Sequence, residues 1–179
     1  MREVAKRINF GIIYGLSSWG LSRDLKIPVN EAQNFIDAYF VKYSRVKEYI
    51  DEQIAIAKKE GFVVTILGRR RYLPEINSKN MSIRQLAERQ AVNTPIQGSA
   101  SDLIKLAMIR IQKEIKERNL RSKMIMQIHD ELVFNVLLEE LEEFSGNIRV
   151  AMENVLKLDV PVKVSIKKGK NWLEMEEVV

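Results

Sequence analysis

The stretch "KMIMQIHDELVFNV", residues 123–136, decides how the second half of this chain folds. It holds the only histidine of the 179 residues, and two acids follow it at once inside an apolar run. Strand interiors rarely carry charge. Two β-rich runs, "KMIMQI" and "LVFNV", separated by His129 and Asp130, predict a hairpin whose tight turn lets acids project past the sheet rather than into it. Two readings stay open on this stretch alone. Asp is a common turn residue, Glu131 would be a solvated strand start, and a lone His near a sheet end is ordinarily structural. Adjacent carboxylates at a rigid sheet end also hold hard, oxygen-seeking cations such as magnesium when a phosphate supplies the remaining ligands.

Downstream of the hairpin the pattern predicts a helix over residues 139–158 and a last strand "PVKVSI". Upstream, Leu103, Ile104, Ala107, Met108, Ile111 and Ile115 recur at helical spacing. A helix from Met81 should end before this one, at Asn93-Thr94-Pro95, because proline disfavours helix in the residue before it. "GRRRYLP" reads as a basic loop and "FVVTIL" as a strand. A helix with Val46, Tyr49, Ile50 and Ile54 on one side should end at Gly61. Its predecessor carries Ala32, Phe35, Ile36, Tyr39 and Phe40, with Asn30 as N-cap and Gln33 three residues on. Before that come a short piece around "LSRDL", a turn-like "SSWG", and an opening helix to about Tyr14. The class is α+β: a helical first half, then a small antiparallel sheet with helices on one face.

Composition narrows the chemistry. With 46% apolar and 30% charged residues the chain has an ordinary globular makeup. Lys and Arg outnumber acids 29 to 24, a net +5 that mildly favours a polyanionic partner. Absent cysteine excludes a disulfide framework, a thiol nucleophile and a thiolate metal site. No apolar stretch approaches the ~20 residues of a membrane span, and the charged start lacks a signal-peptide core, so the expectation is a cytoplasmic protein with no membrane partner.

The opening helix adds a row. Arg2, Lys6, Phe10 and Tyr14 are spaced by four and span roughly 18 Å, two cations leading into two aromatics. Such a row matches an elongated ligand with anionic groups at one end and a flat ring at the other. An ordinary amphipathic helix with basic surface residues and core aromatics gives the same row. Val4, Ile8 and Ile12 would hold the back of the helix against the protein, while Gly11 and Gly15 suggest close approach or bending beside the aromatics. Arg69, Arg70 and Arg71 beside Tyr72 form a charge density suited to a phosphate backbone, or a solvated loop. Arg89, Asn93 and Gln97 surround the predicted helix break, where amides could meet base edges or sugars, or cap a helix.

These stretches occur in the order and spacing of one family. "REVAKRINFGIIYG" carries the pattern R-x3-K-x3-F-x3-Y-G; with "RQAVNTPIQGSASDLIK", "QIHDELVF", "GRRRYLP" and "PVKVSI…GKNW" it resembles the carboxy-terminal part of family A DNA polymerases, the bacterial DNA polymerase I group. The resemblance covers essentially the whole chain. It implies a fingers portion over residues 1–85 and a palm portion over 86–179, engaged in template-directed DNA synthesis in replication and repair. It implies that Arg2 and Lys6 bind the incoming triphosphate, with Lys6 a candidate proton donor to the pyrophosphate leaving group. Phe10 would pack on the incoming sugar and base, where phenylalanine goes with discrimination against dideoxynucleotides. Tyr14 would sit beside the templating position. Asp130 would ligate magnesium with help from Glu131, two Mg2+ ions serving the complete enzyme. His129, Gln97, Asn93 and Arg89 would touch primer and duplex, as would the Arg69, Arg70 and Arg71 group. The implied partners are primer-template DNA and deoxynucleoside triphosphates.

One departure matters. The family's second palm motif, D-Y-S-x-I-E-L-R, is not found in this sequence, nor are a thumb or an exonuclease-like domain. The expectation is therefore little or no polymerase activity from this chain alone, as one piece of a split or truncated polymerase that needs an upstream segment or partner chain with the missing aspartate. A corollary is apolar surface left without neighbours at Ile8, Ile12 and Leu103. Two other readings are a non-catalytic DNA-binding fragment and a metal-dependent phosphodiesterase using His129, Asp130 and Glu131.

Overall fold

The computed structural model describes residues 2–178, without the side chains of Glu3, Val4 and Arg7, so the expected place of Val4 lies outside the described residues. Contacts divide the chain into two compact units that meet between Ser99 and Ala100.

The first unit opens with helix α1 (Arg2–Ile13). It closes on Gly15 at φ +84°, with Gly15 N–H donating to Ile12 O (3.1 Å) and Leu16 N–H to Gly11 O (2.7 Å). This paired closure needs a left-handed residue and so favours glycine. Helix α2 (Ser18–Leu25) begins inside the stretch expected to be a turn, because the Ser17 hydroxyl caps it by accepting from Gly20 N–H at 3.2 Å. Helix α3 (Val29–Lys42) also departs from expectation. Pro28 holds the cap position and its carbonyl accepts from Ala32 N–H at 3.0 Å, which leaves Asn30 inside the first turn. Ile12, Leu21, Ala32 and Ile36 are buried together, with Ile8, Leu16 and Tyr39 packed against them. Ile12 is 2% exposed, so the expected bare surface at Ile8 and Ile12 is absent. Each such aliphatic burial contributes about 1.5–3 kcal/mol.

Helix α4 (Ser44–Glu60) ends at Gly61, φ +78°, as its sequence predicts. Strands β1 (Phe62–Val64) and β2 (Arg70–Tyr72) then pair antiparallel, Val63 opposite Arg71. The middle of the "GRRRYLP" stretch, Arg70–Tyr72, is thus strand rather than loop, and only half of "FVVTIL" is strand. Gly68 turns the chain at φ +78°, and Thr65 N–H donates to Arg69 O at 2.9 Å, which closes the hairpin. Val63, Leu73, Ile76, Ala57, Ala87 and Ala91 form the core beneath it.

Helix α5 runs unbroken from Met81 to Glu117 with Pro95 inside, against the expected break. Asn80 caps it, accepting from Ser82 N–H (3.0 Å) and Ile83 N–H (3.3 Å). Proline removes one helical hydrogen bond, the one to Ala91 O, while hydroxyls meet other carbonyls on the turns around it. Thr94 Oγ1 donates to Gln90 O (2.6 Å), Tyr49 OH to Val92 O (3.1 Å), and Ser99 Oγ to Pro95 O.

In the second unit, Ile111 and Ile115 of α5 are buried with Phe144, Ile148 and Ala151 of helix α6 (Leu141–Glu153). Leu103 is half-buried. Helix α6 stops short of residue 158 because the Asn154 amide folds back to donate to Val150 O at 3.1 Å. The hairpin is as predicted: β3 (Lys123–Ile128) against β4 (Glu131–Asn135), with a register shift between Met124 and Met126. Its Met124, Leu132 and Phe134 pack on the α5–α6 core. "PVKVSI" is not a strand: Val164 N–H donates to Glu153 Oε1 at 2.9 Å instead of to a ladder. A separate hairpin follows, β5 (Lys167–Gly169) with β6 (Met175–Glu177). The α+β class holds, with three two-stranded antiparallel sheets among the described residues in place of one sheet. No helix among them is long and apolar enough to cross a membrane.

Candidate active site

On α1 the row survives as a surface. Arg2 and Lys6 are exposed, and Phe10 is 47% exposed. The Lys6 ammonium stands 5.7 Å from the Phe10 ring centroid, and the Phe10 and Tyr14 rings lie 6.1 Å apart at 7°, stacked. A cation over a ring face with a second parallel ring behind it is suited to phosphate at one end and a base at the other. Buried Ile12 supplies the back of the helix.

Gly15 brings the end of this row against α5. A Cβ there would meet Arg89 Cγ at 3.2 Å, the close approach that the glycine pattern anticipates. Tyr49 stands nearby: burial first, then the charge of Tyr14, pushes its phenol up to about 12. Its hydroxyl braces Val92 O, next to Asn93, whose buried Oδ1 has no hydrogen-bond partner among the described residues. Gln97 is exposed. Phe10, Tyr14, Arg89, Asn93 and Gln97 therefore share one compact unit, in which Gly15 seats Arg89 against the end of α1.

The three arginines separate. Arg69 Nη2 donates to Gly98 O at 3.0 Å, the Arg70 guanidinium lies 4.6 Å from the Phe62 ring centroid, and Arg71 is exposed. All three are exposed, with Arg69 tied to Gly98 O and Arg70 set against the Phe62 ring.

His129, Asp130 and Glu131 form the tip of the β3–β4 hairpin, in the second unit, and all three are exposed. Ile128 pairs with Glu131, so His129 and Asp130 are the whole two-residue turn. His129 adopts φ +53°, the left-handed conformation such turns demand, and its carbonyl accepts from Gln127 Nε2 at 3.0 Å. As a donor set, two adjacent carboxylates fit a hard divalent cation in kind, and they supply fewer oxygens than its six-fold shell requires. No group of three or more His, Cys, Asp or Glu able to hold a metal occurs among the described residues.

Sequence reasoning missed Tyr49 as more than a core residue, because its partner Val92 lies 43 positions away and no local pattern announces it. It missed Trp19 as well, 60% exposed with the Arg23 guanidinium 4.7 Å from its ring centroid. The i, i+4 spacing on α2 was the available signal.

Comparison with known proteins adds an independent line. A family model for DNA polymerase family A matches residues 1–174. DNA polymerase I of Caldicellulosiruptor bescii is 48% identical over 174 residues, 97% of this chain and 20% of that protein. DNA polymerase I of Bacillus subtilis is 47% identical over the same shares. Among solved structures, the POL domain of Pol1 from M. smegmatis in complex with DNA primer-template and dNTP matches with a TM-score of 0.87 and 44% identity, over 90% of this chain and 29% of that one. The chain spans about a fifth of the length of the curated relatives it matches.

Proposed function

The chain belongs to DNA polymerase family A, and from that premise we propose that its residues serve template-directed DNA synthesis, the transfer of a nucleotide from a deoxynucleoside triphosphate to a primer 3′-hydroxyl. Residues 1–85 are assigned to a fingers portion and 86–179 to a palm portion. The observation that carries the reading is the α1 row: exposed Arg2 and Lys6, then Phe10 and Tyr14 stacked at 6.1 Å.

Arg2 and Lys6 bind the triphosphate, where fixed cations stabilise charge that grows on the phosphates during transfer. Lys6 is also placed to give a proton to the departing pyrophosphate. The Phe10 face holds sugar and base, and Tyr14 borders the templating position. Arg89, Asn93, Gln97 and His129 contact primer and duplex, and the exposed Arg69, Arg70 and Arg71 contact backbone phosphate. Asp130 and Glu131 would hold divalent metal, Mg2+ in our reading, whose charge would neutralise phosphate and acidify the primer hydroxyl. Two carboxylates are too few for a two-metal centre, so a further carboxylate from an upstream segment or a second chain completes it. The C. bescii and B. subtilis relatives being polymerases and the neighbour's primer-template and dNTP support this assignment.

The test is equilibrium binding of a deoxynucleoside triphosphate to the chain. Lys6→Ala and Phe10→Ala should each weaken it about 10-fold, the loss of one charged hydrogen bond or one stacking contact. Binding equal to that of the parent in both variants would overturn the reading.

A further inference from the structure

We infer that Glu140 is a positioning residue for the carboxylates at the β3–β4 tip, acting as a clamp on the open end of the hairpin that carries them. The inference rests on the reading of Asp130 and Glu131 as metal-bearing. Glu140 Oε1 accepts from Arg121 N–H and Oε2 from Ser122 N–H, both at 2.9 Å. Ser122 Oγ donates to the same Oε2 at 2.5 Å and accepts from Leu137 N–H at 3.2 Å. One carboxylate thereby ties the residues before β3 to the residue two positions beyond β4. Ser122 is 1% exposed and its three bonds here are part-buried, while the Arg121 bond to Glu140 is exposed.

The hairpin needs such a clamp. An isolated two-stranded sheet is marginal in water, and a bulge is a point where pairing can slip. Here the shift falls between Met124 and Met126, between the clamped end and the tip. Packing of Leu132 and Phe134 on the core restrains one face only. Slippage by one residue would reverse which side every side chain faces, and would move Asp130 and Glu131 with it.

The charged groups around Glu140 are Arg121, which attracts it, and Glu139, which Arg121 meets at 3.5 Å; Arg118 and Glu143 pair farther along. The Ser122 hydroxyl first, then the Arg121 N–H, hold the Glu140 carboxyl below its ordinary range. It therefore remains an acceptor throughout the neutral range.

The test uses the 15N-labelled chain, with Glu140→Gln and the milder Ser122→Ala, compared at equal fraction folded by circular dichroism. Ile104→Ala, in the same unit but outside the cluster that packs the hairpin, is the control for general destabilisation. Gln keeps the size but offers one acceptor oxygen for two backbone donors. Amide exchange at Ile128 and Glu131 should quicken about 10-fold in both clamp variants, the loss of one charged hydrogen bond, and not in the control. Mn2+-induced broadening of the His129 imidazole should need correspondingly more metal. Parental exchange in Glu140→Gln, or the same acceleration in Ile104→Ala, would overturn the clamp. Mn2+ that leaves His129 unbroadened in the parent would remove the metal reading, while the exchange comparison still decides the clamp.

Discussion

Tyr49 shows what single residues add to this fold. Its phenol, ordinarily near 10.0, is pushed up to about 12 by burial and by Tyr14. Because the folded state holds the proton more tightly than the unfolded chain, its contribution to stability is fully present below pH 10 and is lost as pH rises through about 12. Absorbance titration should show late-ionising phenols at Tyr49 and Tyr39, and Tyr49→Phe should remove the step near 12. A step near 12 of undiminished amplitude in the variant would refute this. The sequence displayed Asp130 and Glu131 plainly, since charge inside an apolar β-run breaks a pattern. Tyr49 breaks none. Its role arises from a contact between helices distant in sequence, and periodicity carries no record of such a contact.

Helix α5 raises the question of elements. Local rules end a helix before Pro95, yet α5 continues, with Ala87, Ala91 and Val92 buried on the turns before it. A propensity argument weighs the lost bond and is blind to what packs around it. Gly98 permits the next contact: a Cβ there would meet Thr65 Cγ2 at 2.6 Å, and Thr65 is 4% exposed. Gly→Ala in a helix ordinarily gains about 1 kcal/mol. Here Gly98→Ala should instead destabilise by about 1–3 kcal/mol through overpacking. Adding Thr65→Ser, which removes that methyl and keeps the hydroxyl bonded to Arg69 N–H at 3.2 Å, should restore the loss. Thermal denaturation checks it; a double variant no more stable than the single would contradict the packing account. The β3–β4 hairpin was legible to within one residue because alternation and turn position agree. "PVKVSI" has β-rich composition, but Glu153 takes its backbone donor and no ladder forms there.

At the scale of the molecule, the α+β class followed from helical periodicity giving way to β-rich runs, whereas the number of separate sheets depended on pairing between distant segments. A net charge of +5 lets nucleic-acid binding respond to salt. Arg71→Ala should weaken binding to any duplex sequence and lower the salt slope by about one. Arg69→Ala should also disturb the fold, since Arg69 holds Gly98 O. An unchanged slope in Arg71→Ala would exclude it from the phosphate contacts. The central claim, that the α1 row and the hairpin tip serve nucleotidyl transfer, is tested most directly by single-nucleotide primer extension with magnesium. The chain would replace the matching fifth of the B. subtilis relative. The account predicts extension by the chimaera and, with Asp130→Asn, a fall of at least about 1000-fold, as for loss of a metal-bearing group that stabilises the transition state. Undiminished extension by the Asp130→Asn chimaera would contradict it.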